Sequence, residues 1–258
     1  MLNEQTLLRL PHKCKNYTIY PPSVNDMVGN DKSWVYKKIL TMSQEDIEDL
    51  CAEEAKKDIN SLLNEPIINS VFLTPLEMVL NQAYNSSKIK KITIEAFQFF
   101  IHEPVTFLFE QKKILIGDIN KDLLNISSLK DLRFLDENNF LEFQNDIRAY
   151  AFGEKAISPP NPNEDPRIKR AKALGRIREK VKLKTKKGVS LSTSLISICC
   201  MNLGINLLNI GEISYASVPY LINYYQEKTR YEYDIEALLH GADSKKVNPT
   251  TWIKDIDN

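Results

Sequence analysis

Four prolines fall within the ten residues Ile157–Pro166 (ISPPNPNEDP). Proline fixes φ and removes a backbone donor, so neither a helix nor a central strand can run through such a stretch, which instead forms a stiff, extended spacer. The chain is therefore expected to divide into an N-terminal domain over 1–156, a linker over 157–166 and a helical module over 167–258. With 258 residues, 43% of them apolar, it has the material for a sizeable core on at least one side of that divide.

Before the prolines the sequence reads as α+β, mainly α-helical. SQEDIEDLCAEEAKKDINSLLN (Ser43–Asn64) has Ser43 as an N-cap and Glu45 and Asp46 at the positive end of the helix dipole. Ile47, Leu50, Cys51, Ala55, Ile59, Leu62 and Leu63 recur at helical spacing beneath a strongly acidic outer face. TPLEMVLNQAYN adds a shorter helix, with Thr74 as cap and Pro75 in the first turn. The middle then changes period. KITIEAFQFF and VTFLFEQKKILIG are rich in β-branched and aromatic residues and predict strands, the second folding as a hairpin that turns near Gln111 and Lys112 and ends at Gly117. DENNFLEFQNDIRAYAFG predicts a further helix, capped by Asp136 and stopped at Gly153.

After the prolines the charge becomes uneven. Asp165–Gly188 carries eleven Lys and Arg against two acids, a net +9, while the rest of the chain carries −9. Ile168, Ala171, Leu174, Ile177 and Val181 make a narrow apolar stripe on an otherwise positive helix over 167–187. Such a helix can lie on phosphates, on a membrane surface or on an acidic helix. It has no aromatic residue to stack on bases and no Trp or Phe to enter a membrane, whereas the acidic helix at Ser43–Asn64 is a partner within the same chain. Exposed ion pairs contribute only about 0–1 kcal/mol each but can set orientation and partner choice.

A helical pair closes the chain. The first helix is expected from Leu191 to Leu203, ending at Gly204, and the second from Glu212 to His240. Ile213, Ala216, Tyr220, Leu221, Tyr224, Lys228, Tyr231, Ile235, Leu238 and Leu239 mark much of the second helix's inner face. Its many tyrosines suit an interface, since each offers a large contact area with a polar tip, although core packing accounts for any single one. Residues 195–217 also admit a helix-turn-helix reading, with DNA as the partner. Against it, the segment that would read bases, LLNIGEISYAS, has no Lys or Arg.

Catalytic signatures are absent from the sequence. His12, His102 and His240 are far apart and fit no metal-ligand spacing, and no phosphate-cradling glycine loop or nucleophile elbow occurs. Cys14, Cys51, Cys199 and Cys200 form no CxxC pair and read as small hydrophobes in a reducing compartment. The N-terminus lacks the apolar run of a signal peptide, and no stretch of about eighteen apolar residues exists to span a membrane. The expectation is a non-enzymatic protein of the cytoplasm, or a particle component made there, with no metal and no cofactor.

NIGEISYASVPYLINYYQEKTRYEYDIEALLHGADSKKVNPTTWIKDID, a short connection followed by a long tyrosine-rich helix and a Trp-containing tail, resembles small helical proteins encoded near the tail genes of tailed bacteriophages. These are described as tail assembly chaperones or baseplate assembly proteins. The resemblance spans about Leu191–Asp257, and the N-terminal two thirds lie outside it. It implies a tail or baseplate morphogenesis protein, either structural subunit or chaperone, acting in the host cytoplasm and then in the tail. The implied partners are other tail proteins, such as the tape measure or hub components, or further copies of the chain. Tyr224, Tyr225, Tyr231, Tyr233 and Trp252 would make the contacts. Arg167, Lys169, Arg170, Arg176 and Arg178 would supply charge complementarity.

Overall fold

A computed structural model describes residues 4–43, 45–46, 74–117, 133–158, 165, 167–168, 171–172, 174–176, 178, 190–201, 204–242 and 247. It is mainly α-helical, with two small antiparallel sheets among the described residues, an α+β fold as expected. Contacts group the chain into two units, Met1–Ile157 together with Gly211–Asn258, and Ser158–Ile210. Among the described residues, 211–242 group with the N-terminal elements and not with the basic segment.

The first unit opens with helix α1 (Glu4–Leu7) and a hairpin of β1 (His12–Lys13) and β2 (Thr18–Ile19). Helices α2 (Val24–Gly29), α3 (Ser33–Thr41), α4 (Pro75–Asn85) and α5 (Ser87–Ile101) follow. Capping boxes start α2 at Ser23 and Asp26, and α4 at Thr74 and Glu77, each pair exchanging side-chain and backbone hydrogen bonds. Ser43 and Asp46 exchange the same pair of bonds, but the acidic helix expected beyond them lies almost entirely outside the described residues.

KITIEAFQFF, expected as a strand, is helical and belongs to α5. Ser86 caps the helix by accepting a hydrogen bond from the Ile89 N–H at 3.3 Å. Thr93, Ala96, Phe97, Phe100 and Ile101 are buried at the i, i+3, i+4, i+7, i+8 spacing of one helical face. That packing outweighs the β preference of individual residues, because strand propensity largely reflects fit to a surface and not the backbone itself. His102 ends α5 in the left-handed conformation and stacks on Tyr20, with ring centroids 4.2 Å apart.

The expected hairpin is present as β3 (Val105–Leu108) and β4 (Lys113–Ile116), paired from Val105↔Ile116 to Leu108↔Lys113. A third strand, β5 (Arg133–Leu135), adds to β4. Helix α6 (Phe140–Asp146) comes next and widens into a π-helical turn at Ile147–Ala151. Asp136 does not cap α6. Its carboxylate accepts from the Asn138 N–H in the preceding turn, and Asn139 takes the cap position. Gly153, with φ +64°, closes the turn as expected, and the Glu154 N–H reaches back six residues' span to the Arg148 carbonyl.

The core of this unit is aromatic. Phe97 stacks on Phe143 at 5.4 Å and meets Phe107 edge-on at 6.4 Å, while Phe100 meets Phe152 at 5.6 Å. Leu40, Leu76, Ile101, Ile114, Ile116 and Leu135 complete the packing.

In the second unit α7 runs Leu191–Cys199, shorter than the expected 191–203, and Ser190 caps it through the Thr193 N–H. The described residues between 167 and 178 are helical. A 3-10 turn at Ile210–Glu212 precedes α8 (Ser217–Leu239), which belongs to the first unit. The start expected at Glu212 is displaced because Ile213–Tyr215, a bend, a bridge residue and the start of a turn, is bonded to the N-terminal chain. The Ile213 carbonyl accepts from the Val24 N–H at 3.0 Å, the Tyr215 N–H donates to the Pro22 carbonyl at 2.9 Å, and Ser214 bridges Ser23.

Candidate functional site

The long helix α8 is where the expected contact residues can be placed most fully. Its first turn is anchored: Ser217 and Val218 are buried, and the Tyr220 hydroxyl donates to the Gly153 carbonyl at 3.2 Å. Beyond that turn no described side chain of α8 is buried. The stripe expected to face inward, through Tyr224, Tyr231, Ile235 and Leu238, is only partly covered, and Leu239 is 81% exposed. Tyr225 and Tyr233 are 37% and 67% exposed. At about 100° per residue they project away from the Tyr224–Tyr231 line, so the phenols are spread around the helix and do not form one patch. Lys228 and Glu232 pair along the surface at 3.6 Å.

The basic residues belong to the other unit. Arg167 and Arg178 are exposed and helical, and Arg176 is partly covered. Lys169, Arg170 and Trp252 lie outside the described residues. The helix-turn-helix reading fails on geometry: 207–216, which would have to be the recognition helix, contains turns, one 3-10 turn, a bend and a single bridge residue. Without a second helix there is nothing to lay into a major groove in the manner of that motif.

A second grouping was invisible in the sequence. His12 and Cys14 lie two residues apart on the β1–β2 hairpin, so their side chains fall on the same face. Opposite them is Asp146, the last residue of α6. The Cys14 thiol donates to Asp146 Oδ2 at 3.1 Å, and the Tyr17 hydroxyl donates to the same oxygen at 2.8 Å. A His12 ring nitrogen, Cys14 Sγ and an Asp146 carboxylate oxygen all lie within 4.8 Å of one another. The His12 ring is stacked on Tyr150 of the π-helical turn, centroids 3.5 Å apart. Tyr17 is buried and packs edge-on against Phe143 at 5.0 Å. Only the i, i+2 spacing of His12 and Cys14 hinted at this group, and the expectation that Cys14 is an inert hydrophobe gives way to a thiol hydrogen-bonded to a carboxylate.

The electrostatics follow from that packing. Burial, and then the hydrogen bond to Asp146, push the Cys14 thiol up to about 12. The same two causes raise the Tyr17 phenol. Burial lowers His12, partly opposed by the Asp146 charge. An acid whose folded pKa is raised keeps its proton after the unfolded chain has lost it. Between roughly pH 8.5, the ordinary thiol value, and 12 the folded state therefore binds more protons, and stability falls as pH rises. The expected slope from Cys14 is up to about 1 kcal/mol per pH unit, reduced from the full linkage value because the thiol keeps some solvent contact. Urea midpoints of metal-free protein from pH 8 to 11 should decline more steeply than those of Cys14→Ser; identical curves would show that the thiol is not perturbed.

Residues 183–257 match the family model described as YomV second domain. That family is phage-derived and of the Bacillus prophage type, which suggests a phage protein. The matched stretch includes the whole of α8 and ends beyond it. No curated protein and no solved structure matches the chain.

Proposed function

We propose that this chain is a bacteriophage tail or baseplate morphogenesis protein, structural subunit or assembly chaperone, that works through protein–protein contacts and performs no bond chemistry. The observation that carries the reading is α8. A helix of 23 residues, about 35 Å long, is anchored by its first turn and leaves its tyrosines and Leu239 partly or largely uncovered. Burying such a face against another protein supplies apolar area and phenol hydrogen bonds together. The phage-derived family match over the same residues supports a phage setting. Among the described residues no helix is long and apolar enough to cross a membrane. The proposed site of action is the host cytoplasm during assembly, with other tail proteins or further copies of the chain as partners.

The test is recovery of the tagged full-length protein from infected cells at low and high salt, with nuclease present. Tail or baseplate proteins should remain bound at high salt. Tyr225→Ala with Tyr233→Ala should remove most of that bound material while leaving the melting temperature within a degree or two, since both side chains are exposed. Charge reversal at Arg176 and Arg178 should weaken binding mainly at low salt. Capture that vanishes with nuclease or falls steeply with salt would instead favour a polyanion as the partner.

A further inference from the structure

We propose that His12, Cys14 and Asp146 form a binding site for a single zinc ion, with a fourth coordination position left to solvent. The site is independent of the contact surface on α8 and does not rest on the assembly reading.

Three donor types, an imidazole nitrogen, a thiol sulfur and a carboxylate oxygen, converge from segments 132 residues apart. This mixed set suits zinc, which takes nitrogen, sulfur and oxygen ligands in a tetrahedron, and it disfavours magnesium and calcium, which take oxygen. Zinc–ligand bonds of about 2.0–2.3 Å place neighbouring ligand atoms roughly 3.5 Å apart. Cys14 Sγ and Asp146 Oδ2 already stand at 3.1 Å, and the His12 nitrogen lies within 4.8 Å of both ligand atoms. When the ion binds, the thiol proton leaves to solvent, and the cation takes the place of that hydrogen between sulfur and carboxylate.

The surroundings are those of a supported site. The Tyr17 hydroxyl holds the Asp146 carboxylate, and the Tyr150 ring holds the His12 imidazole, so two of the three ligands are oriented by buried or half-buried neighbours. Glu142, one helical turn before Asp146, adds negative charge close enough to act on Cys14. The helix widens to a π turn immediately after Asp146, a distortion that recurs at functional sites.

The experiment titrates cobalt(II), as a spectroscopic substitute for zinc, into metal-free full-length protein kept reduced by a phosphine. The expected result is a thiolate-to-cobalt charge-transfer band with tetrahedral d–d absorption. Both should saturate at one equivalent and be displaced by zinc. Cys14→Ser should abolish the charge-transfer band, and His12→Gln or Asp146→Asn should weaken binding by tenfold or more. A triple variant, Cys51→Ser, Cys199→Ser and Cys200→Ser, retains Cys14 as its sole thiol and should keep the band. It decides the matter even where Cys14→Ser folds poorly. Absence of the band in the unaltered protein, its loss in the triple variant, or affinity unmoved by both His12→Gln and Asp146→Asn would overturn the proposal.

Discussion

Phe143→Ala is expected to lower the unfolding free energy by about 3–5 kcal/mol, read from urea denaturation at neutral pH. Phe143 is fully buried at the meeting point of three elements. Its ring stacks on Phe97 of α5 at 5.4 Å, takes the edge of Tyr17 from the hairpin at 5.0 Å, and lies 5.8 Å from Phe140 one turn back. Truncation removes the transfer energy of the ring and leaves a cavity that rigid neighbours cannot fill. Because Tyr17 rests on this ring and also holds Asp146, the variant should lose order in the hairpin as well, seen as faster amide exchange over 12–19. Tyr233→Ala serves as the control, since its ring is largely exposed and its removal should cost less than about 0.5 kcal/mol. A loss below about 1 kcal/mol for Phe143→Ala would mean that the core is not organised around this ring.

Gly153→Ala should cost about 2–4 kcal/mol, from two sources. The backbone there has φ +64°, where a side chain costs about 1–2 kcal/mol. The added Cβ would also lie 2.8 Å from Tyr220 Cε2 and 2.9 Å from the Ala216 carbonyl oxygen, a collision of the kind that costs about 1–3 kcal/mol. The tyrosine ring can move, but the carbonyl belongs to the cap of α8 and moves only if the helix start moves with it. Gly153→Ala should therefore loosen the anchored end of α8, measurable as faster cleavage or exchange near 215–222. Combining it with Tyr220→Leu should restore part of the loss, because one of the two collisions is relieved, and a double-mutant cycle isolates that coupling. Strict additivity would assign the effect to backbone strain and the Ala216 carbonyl and none of it to the tyrosine ring.

The Gly153 contact is part of how α8 is presented. Hydrogen bonds through Ile213–Tyr215 and the close approach at Gly153 fasten its beginning to the N-terminal elements. The remaining turns carry the partly uncovered tyrosines. A firmly held base limits the conformational entropy lost when a partner covers the rest, which favours tight association.

Local rules were readable wherever one segment satisfied itself. The Thr74 capping box, the hairpin between Val105 and Ile116, and the stop at Gly153 each depend on residues within a few positions of one another, so sequence alone determined them. The composition of KITIEAFQFF points to a strand, while the spacing of 93, 96, 97 and 100, continued by Ile101, marks a helical face. Tertiary structure alone decided the rest. Whether Ile213–Tyr215 continues a helix or breaks from it depends on the backbone groups of Pro22 and Val24, nearly two hundred residues earlier. The approach of Asp146 to His12 and Cys14 depends on how α6 packs on the hairpin. Such meetings are set by the burial of Phe97, Phe143 and Tyr17 together, and burial is a property of the assembled core that no single segment carries.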